Sequence, residues 1–338
     1  MRFFKLIVFI IPFFIFVNSC KQSNSKVKIG ILFGTYSATR WDLEKNYLEE
    51  KISELGGELI TKITEGDELE QFAQAKELIN SGVDVLIIIA VNGNTAGSIV
   101  RDAHKKGIKV IAYDKLIQNS ELDFFITFSG EKAGELMAEY TINKIPEGNY
   151  VLLYGDRTDE NANKIHNGIK TILQPLIDDG RINIVYEGFT DQWATENAAY
   201  YTNKIIEFSD TKIDAIIATF NSVTYGAKEA VKNHNLENNI LVVGHDPDLE
   251  VCQDILNGED VLAVHKTVKN IAYKTAEIAI QLAKNKPIQT TDFVYNGRID
   301  VPSIILDPII VNKNNIETVI FEEGYIKKED VLNFKKEM

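Results

Sequence analysis

Ten polar and aromatic residues stand just after short Val- and Ile-rich runs, and their types suit one kind of chemistry. Arg40 and Trp41 follow the run at 28–33, Asn92 follows 85–90, and Asp114 follows 109–113. Asp159 and Asn161 come after 150–154, Trp193 after 182–186, Asn221 after 215–219 and Asp246 after 240–244, while Lys266 closes 261–264. Carboxylates accept hydrogen bonds, amides do both, and Arg40 and Lys266 donate. The indoles of Trp41 and Trp193, the only two in the chain, offer an apolar face to C–H groups while their N–H remains available. Acids and bases in the set nearly balance, which describes a site for a neutral polyol or sugar. Each residue also has a structural alternative. Asp and Asn at a helix start are ordinary caps, a reading as open as ligand contact for Asn92, Asp159, Asn161 and Asn221. Asp114 has no helix pattern behind it, so a cap does not explain it. Either Trp could be a core residue, and Arg40 could form a surface ion pair.

The elements that would position these residues alternate. Apolar runs at 28–33, 59–63, 85–90, 109–113, 150–154, 182–186, 215–219, 240–244 and 261–264 read as strands. Several are continuous rather than alternating, as parallel strands covered on both faces must be. Amphipathic stretches of helical length separate them at 42–55, 69–81, 95–106, 131–145, 162–178, 196–208, 223–233 and 268–284. Repeated βα units predict an α/β fold with right-handed crossovers. The segment 124–130 (FFITFSG) breaks this rhythm and suits a crossover between two lobes, and 304–306 and 309–311 read as later crossings. Two Rossmann-like lobes with parallel sheets, joined by a multi-strand hinge, would face a cleft with their strand carboxyl ends, where open α/β sheets bind ligands. The expected division is a first lobe of 27–129 plus about 267–299 and a second of 130–266 plus about 300–330.

Composition removes other classes. With 338 residues, 45% of them hydrophobic, the chain is long enough for two packed domains. A net charge of −13 without a Lys/Arg cluster argues against nucleic acid. His104, His166, His234, His245 and His265 are scattered without metal-ligand spacing, and no metal or cofactor is expected. Only Gly30 and Gly34 mark the first strand, so no G-x-G-x-x-G is present, nor is a G-x-S-x-G elbow. A carboxylate pair such as Asp159 and Asp246 could imitate a glycosidase, yet no catalytic residue is assigned and an enzyme is not expected.

The amino terminus reads as an address. Arg2 and Lys5 precede a twelve-residue apolar run at 6–17, too short to span a bilayer at about 20 residues per crossing. Residues 1–19 are read as a signal peptide ending in a Val17-Asn18-Ser19-Cys20 lipoprotein box. Cys20 is then the lipid attachment site and 20–26 a polar tether, with the membrane engaged by the lipid anchor alone. That leader holds two basic residues and no acid, so the charge without it moves from −13 to −15. Cys252, in the helix-like LEVCQDIL, reads as a small core residue.

Ordered motifs run through most of the chain: KIGILFG…RW at 28–41, SGVDVLIIIAVNG at 81–93, GIKVIAYDKLI at 107–117, FFITFSGEKAGEL at 124–136, PEGNYVLLYG at 146–155, TDENAN at 158–163, WATENA at 193–198, KIDAIIAT at 212–219, GHDPDL at 244–249, NGRIDVPS at 296–303 and VNKNNI at 311–316. From about Lys26 to Glu329 the chain resembles the xylose-type subgroup of the type I periplasmic sugar-binding proteins, the receptors of sugar ABC importers. The resemblance implies sugar contacts from Arg40, Trp41, Asp114, Asp159, Asn161, Trp193, Asp246 and Lys266. It departs at Gly34-Thr35, where the subgroup carries acids, and at Phe220-Asn221, which replaces an Asn-Asp pair. A missing partner to a buried hydroxyl costs about 1–3 kcal/mol, enough to alter ligand preference. The expectation is a monomeric, lipid-tethered receptor, periplasmic or otherwise extracytoplasmic. It would close around D-xylose or a related pentose and pass it to an ABC permease. A sugar sensor for a membrane histidine kinase is the alternative. The ligand-sensing half of a transcription regulator shares the fold but lacks a signal peptide.

Overall fold

A computed structural model describes residues 26–34, 39–157, 159–244 and 246–335. The leader, Cys20 and most of the tether, together with Thr35 and His245, lie outside the described residues.

The first lobe is built on β1 (Val27–Phe33), β2 (Gly57–Ile63), β3 (Val85–Ile89), β4 (Lys109–Tyr113) and β5 (Phe124–Phe128), with α1 (Thr39–Glu54), α2 (Glu68–Asn80) and α3 (Gly97–His104) between them. Every residue of β3 and β5 is buried, because helices cover both faces of the sheet. On one face Ile29, Ile31 and Phe33 pack with Leu48 and Ile52 of α1; on the other Leu32 and Leu86 pack with Leu78 of α2 and Val100 of α3.

At Ser129 the chain leaves this sheet. The Ser129 hydroxyl caps α4 (Gly130–Lys144), whose Ala133 and Met137 join the core of a second sheet. That sheet is parallel in the order β7 (Ile182–Phe189), β6 (Gly148–Tyr154), β8 (Ala215–Ala218), β9 (Leu241–Val243). It is covered by α4 and α5 (Glu160–Asp178) on one side, and by α6 (Thr195–Phe208) and α7 (Asn221–Asn233) on the other. A small cluster around α8 (Leu249–Asn257) buries Cys252 completely, as its sequence context predicts, and burial pushes its thiol up to about 12.

The chain returns to the first lobe after β10 (Val264–His265), through Lys266, into α9 (Val268–Ala283), which packs against α1. It then adds β11 (Asp292–Tyr295) and β12 (Asp300–Leu306), giving the order β11-β12-β5-β4-β3-β1-β2, in which β11 alone is antiparallel to its neighbour. This corrects the sequence-based boundary near 300. Residues 300–306 belong to the first lobe, because Ser303 to Leu306 pair in parallel with Phe125 to Phe128 and Val301 fills that lobe's core. An apolar run names a strand but not the sheet it joins, and here it covers the otherwise open edge of β5. The last crossing, at Asp307-Pro308, leads to β13 (Ile309–Ile310), which pairs with β10. The short α10 (Lys328–Asn333) packs on the α8 cluster through Val331.

Candidate functional site

The strand ends of the two sheets border one cavity of about 860 Å³, larger than the two grooves of about 510 and 660 Å³ on the second lobe. Asn92, Asp114 and Lys115 line it from the first lobe, and Asp159, Asn161 and Trp193 from the second. A cavity formed at the carboxyl ends of parallel strands is where such sheets bind ligands.

A buried charge cluster lies behind Asp114 on the first-lobe side. Arg40, in the first turn of α1, donates from Nε to Glu44 Oε1 at 2.7 Å and from Nη2 to Asp114 Oδ1 at 3.3 Å. The guanidinium lies over the Trp41 ring, 4.7 Å from its centroid, a cation–π geometry. Trp41 itself is 8% exposed and meets Phe33 edge-on at 5.8 Å. Burial opposes charge on Arg40, but the carboxylates of Glu44 and Asp114 outweigh it and hold the guanidinium firmly protonated. Burial likewise opposes ionisation of Asp114, yet Arg40, Lys266 and Lys115 together hold its carboxyl below the usual range. Glu44 goes the other way: burial raises it despite Arg40. Asp114 has a left-handed backbone, φ 65°, at the end of β4.

The second-lobe wall begins at Asp159. Its Oδ1 accepts from the Asn161 N–H and caps α5, while Oδ2 stands 3.7 Å from Lys115 Nζ. Asn161 is the second residue of that helix. Trp193 ends a single 3-10 turn after β7, has φ 56°, and meets Phe220 edge-on at 5.3 Å. Its ring lies so close over Gly155 that a Cβ there would come within 1.9 Å of it. Asn221 opens α7 beside Ser222, whose hydroxyl donates to the Trp193 carbonyl. Asp246 contributes to the field around Tyr225 and Tyr325, and burial holds both hydroxyls above their usual range. Outside three Asn, the described non-glycine residues with positive φ are Asp114, Gln192, Trp193 and Phe220, all at strand carboxyl ends. Such strain collects where the surrounding fold holds a functional surface.

Of the ten residues singled out in the sequence, Asn92, Asp114, Asp159, Asn161 and Trp193 line the cavity directly. Arg40 and Lys266 join them through Asp114. Trp41 packs in the core beneath Arg40, while Asn221 at the start of α7 and Asp246 after β9 belong to the second lobe and are not among the lining residues. Asn92 gives its amide N–H to Glu68 and accepts from the Asn94 N–H, so its polar atoms already hold a turn. Several residues escaped the sequence reading, among them Asp156, Arg157 and Gln192 in the lining itself. Lys115 directly follows Asp114, where a reading of one residue per strand end stops short. Glu44 sits one helical turn after Arg40, a spacing that usually marks a solvated pair. Tyr325 comes from the far end of the chain and left no local signal. Among the described residues, no group of three metal-ligating side chains occurs, and no helix is long and apolar enough to cross a membrane.

A family model described as a periplasmic binding protein domain matches residues 29–287. The chain belongs to the periplasmic binding protein family. Members of this family bind solutes and are not enzymes. The D-xylose-binding periplasmic protein of Haemophilus influenzae is 34% identical over 315 residues, covering 93% of this chain and 95% of that protein. Its counterpart in Escherichia coli is 34% identical over 306 residues, covering 90% and 93%. A solved ABC transporter solute-binding protein from Clostridium phytofermentans, with bound β-D-glucose, matches with a TM-score of 0.78 at 24% identity, covering 90% of this chain and 99% of that one. That likeness establishes the two-lobed periplasmic binding protein fold.

Proposed function

We propose that this periplasmic binding protein captures a monosaccharide, D-xylose or a related pentose, between its lobes and delivers it to a membrane ABC permease. The observation that carries the reading is the cavity lined from both lobes, in which carboxylates, amides and basic groups stand together with Trp193. Such a set matches a neutral, hydroxyl-rich ligand better than an ionised one. The names of the two 34%-identical relatives favour xylose within that class. Arg40, Asp114, Asp159, Asn161, Trp193, Asp246 and Lys266 are the proposed polar and stacking contacts, with Trp41 behind Arg40. Closure requires a ligand that touches both lobes, because one bound equally in the open and closed forms shifts nothing. The protein is further read as a lipoprotein acylated at Cys20 and exposed outside the cytoplasmic membrane, which incorporation of labelled palmitate and its loss in Cys20→Ala would test.

Calorimetry against a panel of pentoses and hexoses tests the central claim. Saturable binding of a pentose is expected, weakened in Asp246→Ala and Trp193→Ala. Absence of binding across the panel, or unchanged affinity in both variants, would refute the assignment.

A further inference from the structure

Glu44 is fully buried, 0% exposed, although it lies on a helix with ample solvated surface. A Glu one turn from an Arg stabilises a helix just as well in water, so helix formation gives no reason to bury it. Its position also sets two carboxylates, Glu44 and Asp114, against one guanidinium, and burying charge is costly unless geometry compensates. Glu44 lies beside the buried Tyr113 hydroxyl, and together with Asp114 and Trp41 it encloses Arg40. Glu44 takes Nε of Arg40 at 2.7 Å, Asp114 takes Nη2 at 3.3 Å, and the Trp41 ring supports the guanidinium face at 4.7 Å. Two edges and a face of a rotamer-rich side chain are thereby fixed, while Nη1 has no hydrogen-bond partner among the described residues. An arginine held this way meets an incoming hydroxyl without first losing its own freedom, which is how preorganisation raises affinity.

We propose that Glu44 is a positioning residue for ligand binding, clamping Arg40 against Trp41 so that Nη1 remains the edge offered to the ligand. The inference rests on Arg40 being a ligand contact, as read above. Neither Glu44 nor Arg40 lines the cavity itself, but Arg40 bonds to Asp114, which does, and keeps 19% of its side chain exposed where Glu44 has none, so Glu44 acts through Arg40.

The test combines a ligand-free readout with a double-mutant cycle. In the unliganded protein, the ¹⁵N-resolved Nε–H of Arg40 should give a sharp, slowly exchanging resonance that broadens or exchanges rapidly in Glu44→Gln. With the best-bound pentose of the panel, Glu44→Gln should lower affinity by about tenfold to a hundredfold. In an Arg40→Lys background, which keeps the charge but removes the fork, Glu44→Gln should cause no further loss. A fast-exchanging Arg40 Nε–H in the parent protein, or one unaffected by Glu44→Gln, overturns the proposal. Equal losses in both backgrounds also overturn it, since they mark a general structural role. If the parent protein binds no sugar, the functional reading fails, and the Nε–H measurement still decides whether Glu44 clamps Arg40.

Discussion

Lys115 Nζ stands 3.7 Å from Asp159 Oδ2, so an ion pair joins the end of β4 in the first lobe to the cap of α5 in the second. The pair spans the cavity that a ligand would enter. With side chains 33% and 15% exposed, it is a modest link, worth about 1 kcal/mol or less. Lys115→Met is expected to leave unfolding stability nearly unchanged while loosening the unliganded lobes. A larger radius of gyration in small-angle scattering, at unchanged denaturation midpoint, is the outcome to look for.

Arg40 neutralises two buried carboxylates at once. Arg40→Met leaves Glu44 and Asp114 facing each other with only the more distant lysines to compensate. Removing one partner from a buried ion cluster costs about 3–5 kcal/mol, and urea denaturation should register a loss of that size. A change below 1 kcal/mol would mean that the cluster is better solvated than its geometry indicates.

Gly155 allows Trp193 to lie against the strand end. Gly155→Ala forces the indole away from its present position, since the added methyl would meet the ring at 1.9 Å. Overpacking of this kind costs about 1–3 kcal/mol. The larger effect should fall on sugar affinity, measured by calorimetry beside a thermal melt, with binding reduced in molecules that remain folded.

Phe220 has φ 70° and ψ 148°, backbone angles that glycine adopts far more readily than any L side chain. The residue is 44% exposed, and its ring meets Trp193 edge-on. Phe220→Ala discards the ring and keeps the strain, whereas Phe220→Gly discards both. The glycine variant should therefore be the more stable of the two by about 1 kcal/mol or more, the reverse of the usual order. Paired denaturation curves would show this directly.

The lowered Asp114 carboxyl gives a pH dependence of known sign. Burial disfavours its ionisation, but Arg40, Lys266 and Lys115 outweigh burial, so the folded value lies below the ordinary 3.8. A group depressed on folding contributes stability that is complete above its unfolded value and is lost as pH falls through the folded one. The parent protein should lose stability on acidification below about pH 4, and Asp114→Asn should flatten that part of the curve. Denaturation midpoints taken from pH 7 down to 3 would test it.

Much of this fold was legible because its strands are short, β-branched, continuous apolar runs such as VLIIIA at 85–90, as a sheet covered on both sides requires. Asp114 was legible for a related reason: a polar residue after a strand with no helix behind it lacks a local partner. The limits were equally physical. Nothing in VPSIIL says which sheet edge it will cover, so β12 was assigned to the wrong lobe. Trp41 and Trp193 look alike in sequence, yet one packs against Phe33 and the other against Phe220 at the cavity, a difference set by long-range packing. Glu44 carries the spacing of an ordinary surface pair, and only its burial distinguishes it.

The chain passes between the lobes at Ser129, Lys266 and Asp307, and neither lobe is a continuous stretch of sequence. As the chain is synthesised from its amino terminus, the first sheet acquires β1 to β5 early but cannot cover the edge of β5 until residues 300–306 exist. For most of synthesis that strand edge lacks its native partner, a state prone to mispairing. The first lobe is thus completed only after most of the second has been made, and a truncation before residue 300 would remove the strand that joins β11 to β5 as well as shorten the second lobe.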